Sequence, residues 1–108
     1  MKKQVLTTAL LMGSLFANAQ VGVGTLDPNA SAQLDVVADN KGILIPRVSL
    51  TSVTDATTIT NGNVTSLLVY NLNDNDSVKP GFYYWYAGEW RKLLVADDVN
   101  SDVLTVLS

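Results

Sequence analysis

Three aromatic side chains near the end of the chain have the chemistry to bind a ligand. Tyr83, Trp85 and Trp90 lie in the stretch GFYYWYAGEWRKLL, residues 81–94, which holds six of the seven aromatic residues after position 19. Their flat rings could stack on the apolar faces of sugars and form a carbohydrate-binding platform. We favour the alternative that they form the core or a subunit interface, because few other large side chains are available for packing.

Acidic and amide side chains are the second group that could hold a ligand. Asp98, Asn100 and Asp102 have the spacing of the first half of a calcium-binding loop. Position six of such a loop would be Val103, whereas the sharp turn needs glycine, and no Glu follows. Residues 73–76 are also rich in oxygen atoms, but turn formation accounts for both segments. The sequence therefore predicts no metal site.

The residue types available for catalysis are few. The chain contains no Cys and no His, so a Ser-His-Asp triad, a cysteine nucleophile and a zinc site of the usual kinds cannot form. A pair of carboxylates could still serve a hydrolase, but Glu89 is the single Glu and most Asp residues lie in turn-like segments. We therefore predict that the protein is not an enzyme and needs no cofactor.

The pattern of apolar and turn-forming residues predicts an all-β fold. Short candidate strands at residues 33–37, 43–45 and 67–71 are separated by turn residues about every ten positions. Pro46 closes the second candidate, and we expect a sheet edge or a strand end there because Pro lacks a backbone N–H. The predicted fold is a small module of short antiparallel strands that ends in an aromatic β-hairpin.

Residues 50–59 could instead contain one short helix. Ser52 and Asp55 have the spacing of a capping box, which starts helices. Six of the residues from 53 to 60 are β-branched, and such side chains lose rotamer freedom in a helix. These two signals leave a helical turn and an irregular loop as equal alternatives for this segment.

The hairpin allows a register to be predicted. If Ala87 and Gly88 form a two-residue turn, Trp85 faces Trp90 across the two strands. Alternation then places Tyr83 and Lys92 on the same side as the two tryptophans. The other side receives Phe82, Tyr84, Tyr86, Glu89, Arg91 and Leu93.

The first nineteen residues have the features of a signal peptide. Lys2 and Lys3 precede an apolar run at residues 5–16, and Ala17-Asn18-Ala19 is a small-x-small cleavage pattern. We therefore expect the mature chain to begin at Gln20, after export through the inner membrane. Loss of the two lysines leaves 5 basic and 10 acidic residues, a net charge of −5. This acidic balance argues against a nucleic-acid partner, and no second apolar run predicts a membrane span in the mature chain.

We divide the remaining chain into a small all-β module, residues 20–94, and an acidic linker, residues 95–108, that ends as the start of a further module or tail. The alternating apolar residues 103–107 suggest a fragment of a longer protein, or a tail that pairs with a partner chain. A module of this size without disulfides or metal gains little stability from one core. We therefore expect self-association, as a homotrimer, or contact with neighbouring modules.

Four sequence blocks resemble a known module. They are VGVGTLDPNASAQLDV (21–36), KGILIPRVSLTS (41–52), SLLVYNLNDN (66–75) and GFYYWYAGEWRKL (81–93). In this order they are similar to phage tail-fibre-like N-terminal modules of large secreted or surface repeat proteins of Gram-negative bacteria. The chain departs from that pattern in its richer aromatic run and in Ser66, where the family usually has Gly.

The resemblance implies an elongated, trimeric β-structure without catalytic residues, followed by repeat or fibre domains. Taken together, these features predict a non-enzymatic, exported structural or assembly module of a secreted or cell-surface fibre-like protein. The alternative is a carbohydrate-binding or adhesin module that contacts surface glycans through the aromatic hairpin.

Overall fold

The computed structural model describes residues 3–5 and 19–99. Most of the predicted signal peptide, residues 1–19, and the apolar tail, residues 103–107, lie outside the described residues. The chain divides into two compact units, Met1–Gly42 and Ile43–Ser108. Among the described residues, no helix has the length and apolar character needed to cross a membrane.

Six strands and one short helical turn make up the regular structure between residues 19 and 99, and they confirm the all-β class. The strands are β1 Val21–Val23, β2 Leu34–Val36, β3 Arg47–Val48, β4 Leu68–Asn71, β5 Gly81–Tyr86 and β6 Glu89–Lys92. A 3-10 turn follows at Ala96–Asp98. The predicted antiparallel pairing holds for β4–β5–β6, whereas β1 pairs with β2 and β3 pairs with β4 in parallel.

The first unit contains a two-stranded parallel ribbon, β1–β2. The connection between its strands is held by Gln20, whose Nε2 donates to the carbonyls of Asn29, Ala30 and Ala32 at 3.0–3.2 Å. The chain leaves β1 at Gly24, which has a φ of +77°. A Cβ there would lie 2.0 Å from the carbonyl oxygen of Val37, so only glycine fits this crossing.

The second unit is a four-stranded sheet with the order β3-β4-β5-β6. The β5–β6 register pairs Trp85 with Trp90, which confirms the register predicted from the sequence. Ala87 and Gly88 have φ values of +52° and +80°, the signs that a type I′ hairpin turn requires. The predicted strand at residues 67–71 is also present, and its alternate residues Val69 and Asn71 are buried.

Loops cover one side of this sheet, which we call the inner face. The core consists of Leu50, Val69, Val78, Tyr83 and Trp90, each no more than 4% exposed. Leu50 and Val78 come from the loops before and after β4 and not from a second sheet. The core is therefore a thin layer between one face of the sheet and two irregular segments.

No helix forms at residues 50–59, and the irregular-loop alternative is the one observed. The Asp55 carboxylate accepts hydrogen bonds from the backbone N–H groups of Thr51, Thr57 and Thr58, which bend the chain around the carboxylate. The bonds from Thr57 and Thr58 resemble those of a helix N-cap, but no helix follows, and the bond from Thr51 closes the chain on itself. Tertiary closure of the loop therefore outweighs the local capping signal.

The apolar run at residues 43–45 is not a strand, so this part of the prediction was wrong. Pairing starts one residue later, where the backbone N–H of Tyr70 donates to the carbonyl of Pro46 at 2.9 Å. Pro46 can accept in this way but has no N–H to donate, and β3 accordingly begins at Arg47 on the edge of the sheet.

Ala87 has a left-handed backbone, which costs an ordinary L-residue about 1–2 kcal/mol and costs Asn less. We expect Ala87→Asn to raise the free energy of unfolding by roughly 0.5–1 kcal/mol. Urea denaturation followed by tryptophan fluorescence would measure the change. Ala56→Asn, at an exposed loop residue without positive φ, is the matched control and should not stabilise. Equal effects of the two substitutions would contradict the assigned turn.

Candidate functional site

The second side of the four-stranded sheet, the outer face, carries large apolar side chains that no part of the described chain covers completely. The strand register places Leu68 beside Tyr84 and Tyr70 beside Phe82. Leu68 is 38% exposed and Phe82 is 41% exposed. The full outer face consists of Arg47, Leu68, Tyr70, Phe82, Tyr84, Tyr86, Glu89, Arg91 and Leu93.

The rings of the outer face are fixed by contacts within the sheet. Tyr70 and Phe82 meet edge to face, with ring centroids 5.0 Å apart. The guanidinium of Arg91 lies 5.3 Å from the centroid of the Tyr86 ring, and its Nε donates to the Tyr86 carbonyl at 3.2 Å. A surface that is already ordered loses less conformational entropy when a partner binds.

An apolar groove adjoins the outer face. It has a volume of about 170 Å³ and is lined by Ile43, Leu44, Ile45, Arg47, Tyr70 and Phe82. Leu44 is 77% exposed and Ile43 is 60% exposed. The only ionisable groups in its lining are those of Arg47 and Tyr70, so the groove suits an apolar side chain of a partner.

The three predicted ligand-binding residues lie on the inner face. Tyr83 and Trp90 belong to the core, and Trp85 packs against it half-buried. The Tyr83 hydroxyl donates to the Lys79 carbonyl at 2.7 Å, and the Trp90 indole N–H donates to the Asp55 carbonyl at 2.8 Å. The two tryptophan rings meet edge to face at 5.3 Å. Carbohydrate binding by these residues stays a prediction.

Asn71, which the sequence analysis did not single out, fixes both loops that cover the inner face. It is fully buried at the end of β4. Its Oδ1 accepts from the N–H groups of Leu50 and Asn73, and its Nδ2 donates to the carbonyls of Asn73 and Lys79, all at 2.9–3.0 Å. The local sequence signal for this role is an Asn at the end of an apolar strand. The sequence does not show that Leu50, 21 residues earlier, is one of its partners.

Asp55 has the most strongly perturbed ionisation among the described residues. Burial would raise the pKa of its carboxyl group, but hydrogen bonds from Thr58, Thr51 and Thr57 outweigh burial and hold the pKa well below its usual range. The carboxylate accepts both backbone and hydroxyl donors from these threonines. Asp55 is therefore charged at neutral pH and serves as the centre of the loop.

One ion pair ties the 3-10 turn to β6. Lys92 Nζ lies 2.7 Å from Asp98 Oδ1, and this hydrogen bond raises the pKa of Lys92 and lowers that of Asp98. Asp98 also accepts from the N–H of Val95 at 3.0 Å. Asn100 and Asp102 of the calcium-like spacing lie outside the described residues. Among the residues that are described, no group of three or more acidic side chains could hold a metal ion.

Comparison with known proteins links the chain to one kind of protein region. A family model for a phage tail-like trimerisation region matches residues 22–103, which include all of the outer face and the groove. No curated protein and no solved structure matches the chain.

Because the pKa of Asp55 is lower in the folded state, its contribution to stability is complete at neutral pH and declines as the pH falls below about 4. We expect Asp55→Asn to lower the free energy of unfolding at pH 7 by about 2 kcal/mol, since buried donors lose their acceptors. The difference from wild type should shrink at pH 2.5. Chemical denaturation at both pH values would measure it.

Asp74→Asn is the matched control for this experiment. Asp74 pairs with Lys79 on the surface, where its side chain is 65% exposed, so its replacement should change stability little at either pH. A cost of Asp55→Asn that did not exceed that of Asp74→Asn at pH 7 would contradict the structural role assigned to Asp55.

Proposed function

The chain belongs to the family of phage tail-like trimerisation regions, and from this membership we propose that it is a structural module that assembles as a homotrimer. The observation that carries the proposal is the outer face with its groove. It combines ordered aromatic rings with exposed aliphatic side chains on a sheet whose opposite face is already covered.

The energetics of the second unit support self-association. Among its residues 43–99, five hydrophobic side chains form the core, whereas Leu44, Leu68, Phe82, Tyr86 and Leu93 are each more than a third exposed. Fully burying one such side chain contributes about 1.5–3 kcal/mol. If three copies cover each other's outer faces and grooves, these five residues become buried in every chain of the trimer. A separate chain leaves this apolar area in water, so we expect its free energy of unfolding to be small.

We also propose that the module has no catalytic role. Several carboxylates that a hydrolase would need take part in structural contacts instead. Asp55 centres a loop, Asp98 pairs with Lys92, and Asp74 pairs with Lys79. Glu89, the only Glu, lies next to the hairpin turn on the exposed strand end.

The sequence features of the first nineteen residues extend the proposal to location. We propose that the module is exported and forms part of a secreted or cell-surface fibre-like protein of a Gram-negative bacterium, beside further modules of a longer chain. The support is the order of positive residues, apolar run and small-x-small pattern in residues 1–19. Contact of such a fibre with surface glycans stays a prediction.

The groove provides the test of trimer formation. We expect Leu44→Ser to weaken the trimer by at least about tenfold in dissociation constant, because it removes an apolar side chain from each of three contacts. Leu94→Ser is the matched control, since Leu94 is also exposed, at 58%, but lies beyond β6 and outside the groove. Sedimentation equilibrium would measure both. A wild-type monomer, or equal effects of the two substitutions, would contradict the proposal.

Export has its own test. Expression of the full chain in a Gram-negative host should release a mature form whose first residue is Gln20, identified by mass spectrometry of the N-terminal peptide. Ala19→Glu should block this cleavage because the position before the cut must be small. Asn18→Glu, at the position that the small-x-small pattern leaves free, is the control and should still be cleaved. Cytoplasmic wild-type protein with an intact leader would contradict the proposed export.

A further inference from the structure

The β1–β2 ribbon of the first unit has one apolar face that residues 19–42 leave open. The parallel register pairs Val21 with Leu34 and Val23 with Val36, so these four side chains point to the same side. They are 52%, 58%, 52% and 38% exposed, respectively. We call these four side chains the ribbon patch.

The opposite side of the ribbon is closed by the connection between its strands. A Cβ on Gly22 would lie 2.7 Å from Cγ of Pro28, so the connection packs directly on the backbone of β1. On β2, the Asp35 carboxylate accepts from the N–H of Asn29 at 2.8 Å. The ribbon therefore has one face occupied by its own chain and one face, the ribbon patch, available to a partner.

The described residues of the first unit do not form a hydrophobic core. None of its described residues, 3–5 and 19–42, is buried, and Leu26 is fully exposed. An isolated pair of short strands is marginally stable in water, and parallel pairs are slightly weaker than antiparallel ones. A surface that covers the patch would therefore stabilise the ribbon.

Two observations identify a second copy of the chain as that partner. The family match begins at residue 22, within β1, so the ribbon apart from Val21 lies in the trimerisation region. The patch consists only of Val and Leu and carries no charge or hydrogen-bonding side chain. Around a threefold axis, identical uncharged aliphatic patches can meet without like-charge repulsion, and each covers the others.

We propose that the ribbon patches of three chains pack together on the threefold axis and form a shared hydrophobic core. This inference rests on the proposed trimer and adds which surface of the first unit meets itself. If the patches pack in this way, the ribbon becomes ordered when the three chains assemble.

Hydrogen exchange on the purified full chain tests the coupling between ribbon and assembly. The N–H groups of Val21 and Val37 donate to Gln33 and Val23 within the ribbon at 2.8–2.9 Å. We expect both amides to exchange slowly in the trimer and to lose protection in proportion to its dissociation on dilution. Amides of the β5–β6 hairpin report independently on the second unit. Ribbon amides that exchange at unprotected rates in a trimeric sample would overturn the inference.

The double variant Val21→Thr Val23→Thr tests the patch itself, because Thr keeps the shape and strand preference of Val but is polar. We expect the trimer dissociation constant to rise on the order of 100-fold or more, with faster exchange of the ribbon amides. Val64→Thr, at a loop residue that is 61% exposed, is the control and should leave both unchanged.

The outcomes separate this inference from the proposed function. A wild-type protein that is monomeric at all concentrations would refute the trimer and the inference together. A wild-type trimer that keeps its dissociation constant in the double variant would refute the inference alone. Leu44→Ser probes the groove of the second unit and is therefore independent of the patch.

Discussion

The second unit depends on the way Trp90 joins the sheet to an irregular loop. Its backbone N–H donates to the carbonyl of Val53 at 2.7 Å, and its indole N–H donates to the carbonyl of Asp55 at 2.8 Å. The ring is 2% exposed and rests against Trp85. Since the loop has no helix or strand of its own, these bonds and the carboxylate of Asp55 decide where it lies. They place it over the inner face.

Because loops cover the inner face, the outer face is the side of the sheet that a partner can contact. Loops occupy one side of the sheet, so the aromatic and aliphatic residues on the other side have no cover within the described part of the unit. In the first unit the same situation recurs on a smaller scale, with one face of the ribbon closed by its connection and the other open. In its described part, each unit thus has one apolar side that is not covered, and the proposed trimer would cover both.

The sequence could predict those features that arise from neighbouring residues. The hairpin, its Trp85–Trp90 register and the two faces of β5 follow from a two-residue turn and strict alternation. The parallel pairing of β3 with β4 could not be predicted, because it joins segments about 20 residues apart without a local signal. The sequence pattern assigns Asp55 only to a helix cap, because its threonine donors surround it only once the loop has closed. Alternation predicts which hairpin residues share the outer face, but not that loops cover the inner face, so the sequence does not show which of the two faces stays exposed.

Native mass spectrometry of the purified protein at micromolar concentration tests the central claim most directly. The account predicts one dominant species with three times the mass of the single chain. A species with the mass of one chain, under conditions where tryptophan fluorescence shows Trp90 buried and the second unit folded, would contradict it.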